Sequence, residues 1–161
     1  MRHKVLCVCA ALVCATAASA QTKHTFSGVC SKPDSQQSVP AGDKDGHTFT
    51  ISSGKCTSKG AVNGVESKDG AWADHGDSMG AKGKVTGMFV QNLDGGDKVF
   101  YSYSESVTMK DNVPQTATAS YTITGGTGKM KGLKGSGTCK LNAEGTDGSM
   151  KYSCNGVSMT K

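Results

Sequence analysis

Between Val99 and Met109 the side chains alternate: Val99, Tyr101, Tyr103, Val107 and Met109 share one face, while Phe100, Ser102, Ser104, Ser106 and Thr108 share the other. A period of two marks a strand with one face on a core, because successive side chains leave an extended backbone on opposite sides. A helix would bury every third or fourth residue instead. Gln115 to Ile123 repeats the pattern, with Ala117, Ala119, Tyr121 and Ile123 opposed to Thr116, Thr118, Ser120 and Thr122. Three more faces read alike: Val85, Gly87, Phe89, Gln91 and Leu93; Leu133, Gly135, Gly137, Cys139 and Leu141; and Met150, Tyr152 and Cys154.

The connections are turn chemistry. Asp94-Gly95-Gly96-Asp97, Lys110-Asp111-Asn112-Val113-Pro114 and Glu144-Gly145-Thr146-Asp147-Gly148 each separate two runs by a few residues, which favours sequential antiparallel hairpins. His24 to Val29 and His47 to Ile51 read as shorter strands around a polar, proline-containing loop. The stretch Gly54 to Gly83 shows no sustained alternation, and one or two irregular strands are expected near Ala61 to Glu66 and Ala71 to Asp74. The pattern implies an all-β, antiparallel architecture of about eight short strands. Closing such a sheet into a barrel removes its exposed edges, so a barrel is preferred, with a β-sandwich as the alternative.

Residues 1–20 carry the three zones of a secretory signal: Arg2 and Lys4, an uncharged apolar run from Val5 to Ala15, and the small-x-small site Ala18-Ser19-Ala20. The apolar run is too short to span a bilayer, and no later segment approaches the length of a spanning helix. The expected mature chain is one domain over residues 21–161, exported to a periplasm or secreted. Cleavage removes Cys7, Cys9 and Cys14 of the seven cysteines and leaves Cys30, Cys56, Cys139 and Cys154, an even number suited to two disulfides in an oxidising compartment. If Glu144 to Ser149 forms a hairpin turn, Leu141 pairs with Tyr152 and Cys139 with Cys154. Cβ atoms at opposed positions lie about 4.5–5.5 Å apart, within reach of a disulfide after local twist. Cys30 then pairs with Cys56 as first choice, with the two other connectivities left open. No Cys-x-x-Cys spacing suggests a redox or metal role.

Loss of Arg2 and Lys4 leaves 16 basic residues against 13 acidic, a charge of +3, and no arginine. A nucleic-acid binder depends on arginine for bidentate contacts, so this scattered lysine excess reads as a solubilising surface and no nucleic-acid partner is expected.

The segment Thr122-Ile123-Thr124-Gly125-Gly126-Thr127-Gly128-Lys129-Met130-Lys131-Gly132-Leu133-Lys134-Gly135 resembles the strand-turn-strand signature of the dirigent and allene oxide cyclase barrel superfamily. Its glycines allow a tight connection, and an apolar residue there plugs one barrel end; Met130 stands where that family usually carries Phe. The match covers this hairpin well and the three preceding strands only in pattern. The resemblance implies an eight-stranded barrel, often trimeric, whose apolar cavity holds or steers a small hydrophobic molecule. Fold transfers more safely than function.

The candidate cavity residues are Glu105, Tyr101, Tyr103, Tyr121, Gln91 and Phe89. Glu105 is the misfit on the buried face of its run. Five-residue turns would pair Leu93 with Val99 and Met109 with Gln115, placing Gly87 and Ala119 beside Glu105 and leaving a hollow around a carboxylate with a raised pKa. A bulge or another register would turn Glu105 to solvent, and the sequence leans narrowly toward that. Asp74, His75 and Asp77, beside Trp72, have metal-ligand chemistry, but neighbours on an extended chain point apart, so a polar loop is favoured and no metal is expected. His24 and His47 read as structural. Gly125 to Gly128 lacks the following helix that a phosphate site needs. Neither a Gly-x-Ser-x-Gly elbow nor a His-Glu-x-x-His pair occurs, the catalytic residues are not readable, and no cofactor is expected. Three functions fit: non-enzymatic binding of a small hydrophobic molecule or partner, which leads; an isomerase or cyclase acting in the cavity; and an interaction or inhibitor protein using its loops.

Overall fold

The computed structural model describes residues 21–111 and 113–160; the expected signal segment lies outside the described residues. Ten strands follow in chain order: β1 (Thr22–Cys30), β2 (Ser35–Pro40), β3 (His47–Thr57), β4 (Lys59–Val62), β5 (Val65–Met79), β6 (Lys82–Leu93), β7 (Lys98–Lys110), β8 (Val113–Gly126), β9 (Leu133–Ala143) and β10 (Met150–Thr160). From β5 to β10 each strand pairs antiparallel with the next, and β10 returns to β1. β1 meets β4 along Thr25–Ser27 and β3 at the single pair Cys30–Cys56, after which β2 takes over the edge of β3. β3 and β4 both pair with β5. β1 with β2, and β3 with β4, therefore each fill one position in the wall, and the sheet closes as an eight-position antiparallel barrel, the fold the hairpin implied.

Both disulfides are those expected, Cys30–Cys56 and Cys139–Cys154, and the β9–β10 register sets Cys139 opposite Cys154 and Leu141 opposite Tyr152. One barrel end is sealed. Val62, Leu93, Val99, Ile123, Met130 and Leu133 are all at most 1% exposed and belong to one buried cluster. Met130 ends the short 3-10 turn Gly128–Met130 between β8 and β9, so the hairpin glycines deliver the plug that the sequence pattern suggested.

Three readings need correction. Residues 65–79 form one 15-residue strand, the longest in the barrel, where only short irregular strands were expected. Its inward residues are Gly70, Trp72, Asp74, Gly76 and Ser78, mostly small or polar, so the alternation is real but not hydrophobic. The β4–β5 hairpin turns at Asn63-Gly64, both with positive φ, and that dipeptide was a readable hairpin signal. Second, the proline-containing loop contains strand β2. Third, the β6–β7 register is shifted: Gly95 and Gly96 adopt positive φ, the Leu93 N–H bonds the Asp97 carbonyl, and Gln91 faces Val99. Val85 therefore sits opposite Glu105, and Gly87 opposite Tyr103; the expected pairing of Glu105 with Ala119 on β8 holds.

Candidate functional site

Above the sealed end the interior opens into a cavity of about 440 Å³. β7 lines it in depth order, Tyr101, Tyr103, Glu105, Val107 and Met109, because every second residue of an unbroken strand faces inward. Phe89 and Tyr121 come from the flanking strands, and Trp72, Leu141 and Met150 complete much of the apolar wall. Of the six residues expected there, Gln91 alone lies elsewhere. It is fully buried below the cavity, where its Nε2 donates to Ser58 Oγ and Ser67 Oγ at 2.9 Å each and its Oε1 accepts from Tyr101 Oη. An unbonded buried amide would cost about 1–3 kcal/mol, so this network fixes the cavity floor rather than contacting its contents.

Tyrosine hydroxyls cross glycines to reach distant partners. Tyr103 Oη passes over Gly87 and donates to Asp74 Oδ2 at 2.9 Å, while Ser52 Oγ donates to Asp74 Oδ1 at 2.6 Å. A Cβ on Gly87 would stand 2.6 Å from both Tyr103 Oη and Asp74 Cβ, so only glycine leaves room for the bond. Tyr152 Oη crosses Gly28 in the same manner to donate to the Thr57 carbonyl at 2.9 Å. Trp72 lies over Gly54, and its buried Nε1 has no hydrogen-bond partner among the described residues.

Among the described residues, Asp74 and Glu105 are the carboxylates turned into the cavity. Glu105 is turned inward, against the solvent-facing arrangement that the sequence narrowly favoured, because the β7–β8 irregularities fall at Phe100/Tyr101 and Thr108/Met109 and leave the alternation between them intact. No described residue gives it a side-chain hydrogen bond or ion pair. Burial, and secondarily the charge of Asp74, push its pKa up to about 7. Burial also raises Asp74, opposed by the hydrogen bonds from Ser52 and Tyr103. The Tyr103 hydroxyl is held far above the ordinary phenol range by burial and by both carboxylates, so it remains a donor. Sequence reasoning missed Asp74 because it set Asp74, His75 and Asp77 on a loop. They lie on β5, where Asp74 faces the cavity and His75 and Asp77 are exposed.

Among the described residues no group of three or more His, Cys, Asp or Glu is placed to hold a metal ion. His24 is buried, shares a 2.8 Å hydrogen bond with Tyr121 Oη, and has its pKa lowered by burial. His47 sits between Asp43 and Asp77 on the outer wall.

No protein-family profile matches the chain, and no curated protein matches it. Among solved structures it is similar to the pterocarpan synthase dirigent protein GePTS1, with 15% identity, 88% of this chain and 84% of that chain covered, and a TM-score of 0.48. It is also similar to pyocyanin demethylase, with 21% identity, 84% and 99% covered, and a TM-score of 0.41.

Proposed function

We propose that this chain is an exported barrel that binds a small, largely apolar molecule without transforming it. The observation that carries this reading is the aromatic-walled cavity of about 440 Å³, a volume within the range of small-molecule sites, about 300–1,000 Å³. A barrel acting only through its loops has no need of an unfilled interior, so the cavity favours ligand binding over an interaction or inhibitor role. Export is supported by the pattern of residues 1–20 and by two disulfides, which persist in oxidising compartments. Val39, Phe49, Ile51 and Met88 are large apolar side chains exposed on the outer wall, and they support the expected homo-oligomer.

Trp72 is the single tryptophan and lines the cavity, so its fluorescence reports occupancy. Titration with the neutral probe N-phenyl-1-naphthylamine should quench it saturably, and native mass spectrometry of protein purified from its own host should reveal a carried ligand and the oligomeric state. Absence of probe binding up to the solubility limit, with no carried ligand, would refute the reading.

One observation favours an isomerase or cyclase as the second reading: Glu105, with a pKa of about 7, is poised to exchange a proton near neutrality. Conversion of a carried ligand by the wild type and not by Glu105→Gln would establish it.

A further inference from the structure

We propose that the cavity is selective for an organic cation, a molecule with an apolar or aromatic body and an amine-type positive group held at the level of Asp74 and Glu105. The inference rests on the binding reading above and specifies its ligand class. The mature chain carries a net positive charge, yet the charged side chains turned into the cavity are Asp74 and Glu105, while Asp77 and Lys84 border it with side chains on the outer face. Asp77, Asp147 and Lys84 are exposed, and every described lysine lies on the outer surface, so nothing basic within the wall neutralises the two inner carboxylates.

The neighbours of Glu105 make the point sharper. Val85 faces it from β6 and Ala119 from β8, Tyr103 and Val107 flank it on β7, and Asp74 is the ionisable group that reaches it from β5. None offers a hydrogen-bond donor to Glu105: the Tyr103 hydroxyl is spent on Asp74. A carboxylate in such surroundings needs either a proton or a cation, because an unpaired buried charge is costly. The walls favour the cation, since the rings of Trp72, Phe89, Tyr101, Tyr103 and Tyr121 present faces whose quadrupoles attract positive charge. An anion of equal size meets the same apolar surface and two repelling carboxylates.

Three adamantane probes of one shape separate the terms: 1-adamantylamine, 1-adamantanol and adamantane-1-carboxylate, titrated against the processed, disulfide-bonded protein at pH 8 by Trp72 fluorescence. The amine should bind about ten-fold tighter than the carboxylate, with the alcohol between them. In Glu105→Gln, and separately in Asp74→Asn, that preference should shrink toward parity, while circular dichroism and a cooperative urea transition report that each variant is folded. An amine bound no better than the carboxylate, with the alcohol bound, overturns the cation proposal and leaves the binding reading standing. An undiminished preference in both variants also overturns it. Failure of all three probes overturns both.

Discussion

Tyr121 Oη lies 2.8 Å from His24 Nε2, although 97 residues separate them in the chain, and it reaches that position by crossing Gly137 and Gly156 on β9 and β10. A Cβ at either glycine would overlap the hydroxyl. The bond ties β8 to β1 across two intervening strands, beneath Phe26 and beside Tyr101, so the ring cluster at the cavity floor also fixes the barrel's circumference.

Tyr121→Phe should therefore destabilise the protein. His24 Nδ1 already has no partner among the described residues, and the substitution would leave both ring nitrogens of a buried histidine unsatisfied. The expected loss is about 1–3 kcal/mol, read from the urea midpoint at constant slope. A loss below about 0.5 kcal/mol would mean that the bond contributes nothing beyond a surface contact.

Glu105 should make stability fall as pH rises. Its pKa is raised from 4.5 to about 7, so between those values the folded state holds a proton that the unfolded state releases. The cost is absent below pH 4.5 and complete above about 7. Glu105→Gln removes it, and the variant should match wild type at pH 4 and exceed it at pH 8 by up to about 3 kcal/mol in urea denaturation. An equal difference at both pH values would show that Glu105 does not titrate in this window.

Gly87→Ala should disconnect Tyr103 from Asp74. The added methyl would meet Tyr103 Oη and Asp74 Cβ at 2.6 Å and the Ala73 carbonyl at 2.7 Å, and the backbone contact cannot swing aside. Overpacking of this kind costs about 1–3 kcal/mol, and the Trp72 emission should shift as the wall rearranges. Wild-type stability and emission together would contradict the geometry.

The outer clasp at His47 should loosen in alkali. Its Nδ1 faces Asp43 Oδ1 at 2.5 Å and its Nε2 faces Asp77 Oδ1 at 2.8 Å, and those hydrogen bonds, Asp43 first, raise its pKa above 6.5. The contribution is full below pH 6.5 and disappears as pH rises through the raised value. Asp43, lowered chiefly by the same bond, loses its share only as pH falls through its own depressed pKa. Amide exchange at Ala41, whose N–H bonds the His47 carbonyl, should accordingly be slowest in mildly acidic solution. Protection that stays flat across this range, after correction for intrinsic exchange, would exclude the clasp.

Legibility followed chemistry. β7 was readable because Val99, Tyr101 and Tyr103 are large and apolar where they face inward. β5 was not, because Gly76, Asp74 and Gly70 face inward with no hydrophobic signature: they make room for, or line, the cavity. The disulfide Cys139–Cys154 followed from hairpin symmetry, whereas the β6–β7 register turned on how Gly95 and Gly96 tighten one loop. A pairing shift of two residues preserves the in-out alternation, so no side-chain pattern could distinguish Val85 from Gly87 as the neighbour of Glu105.

Strand character where the inward face is apolar, the order of the hairpins from β6 to β10 and the Cys139–Cys154 pairing are local properties: each depends on residues within one run and its turn, and the sequence alone determined them. Whether the interior is empty or filled, that two carboxylates meet there without a base, and that Tyr103, Tyr121 and Tyr152 each find a glycine to cross depend on how eight wall positions tilt and close. Such contacts join residues tens of positions apart, and only the closed barrel decides them.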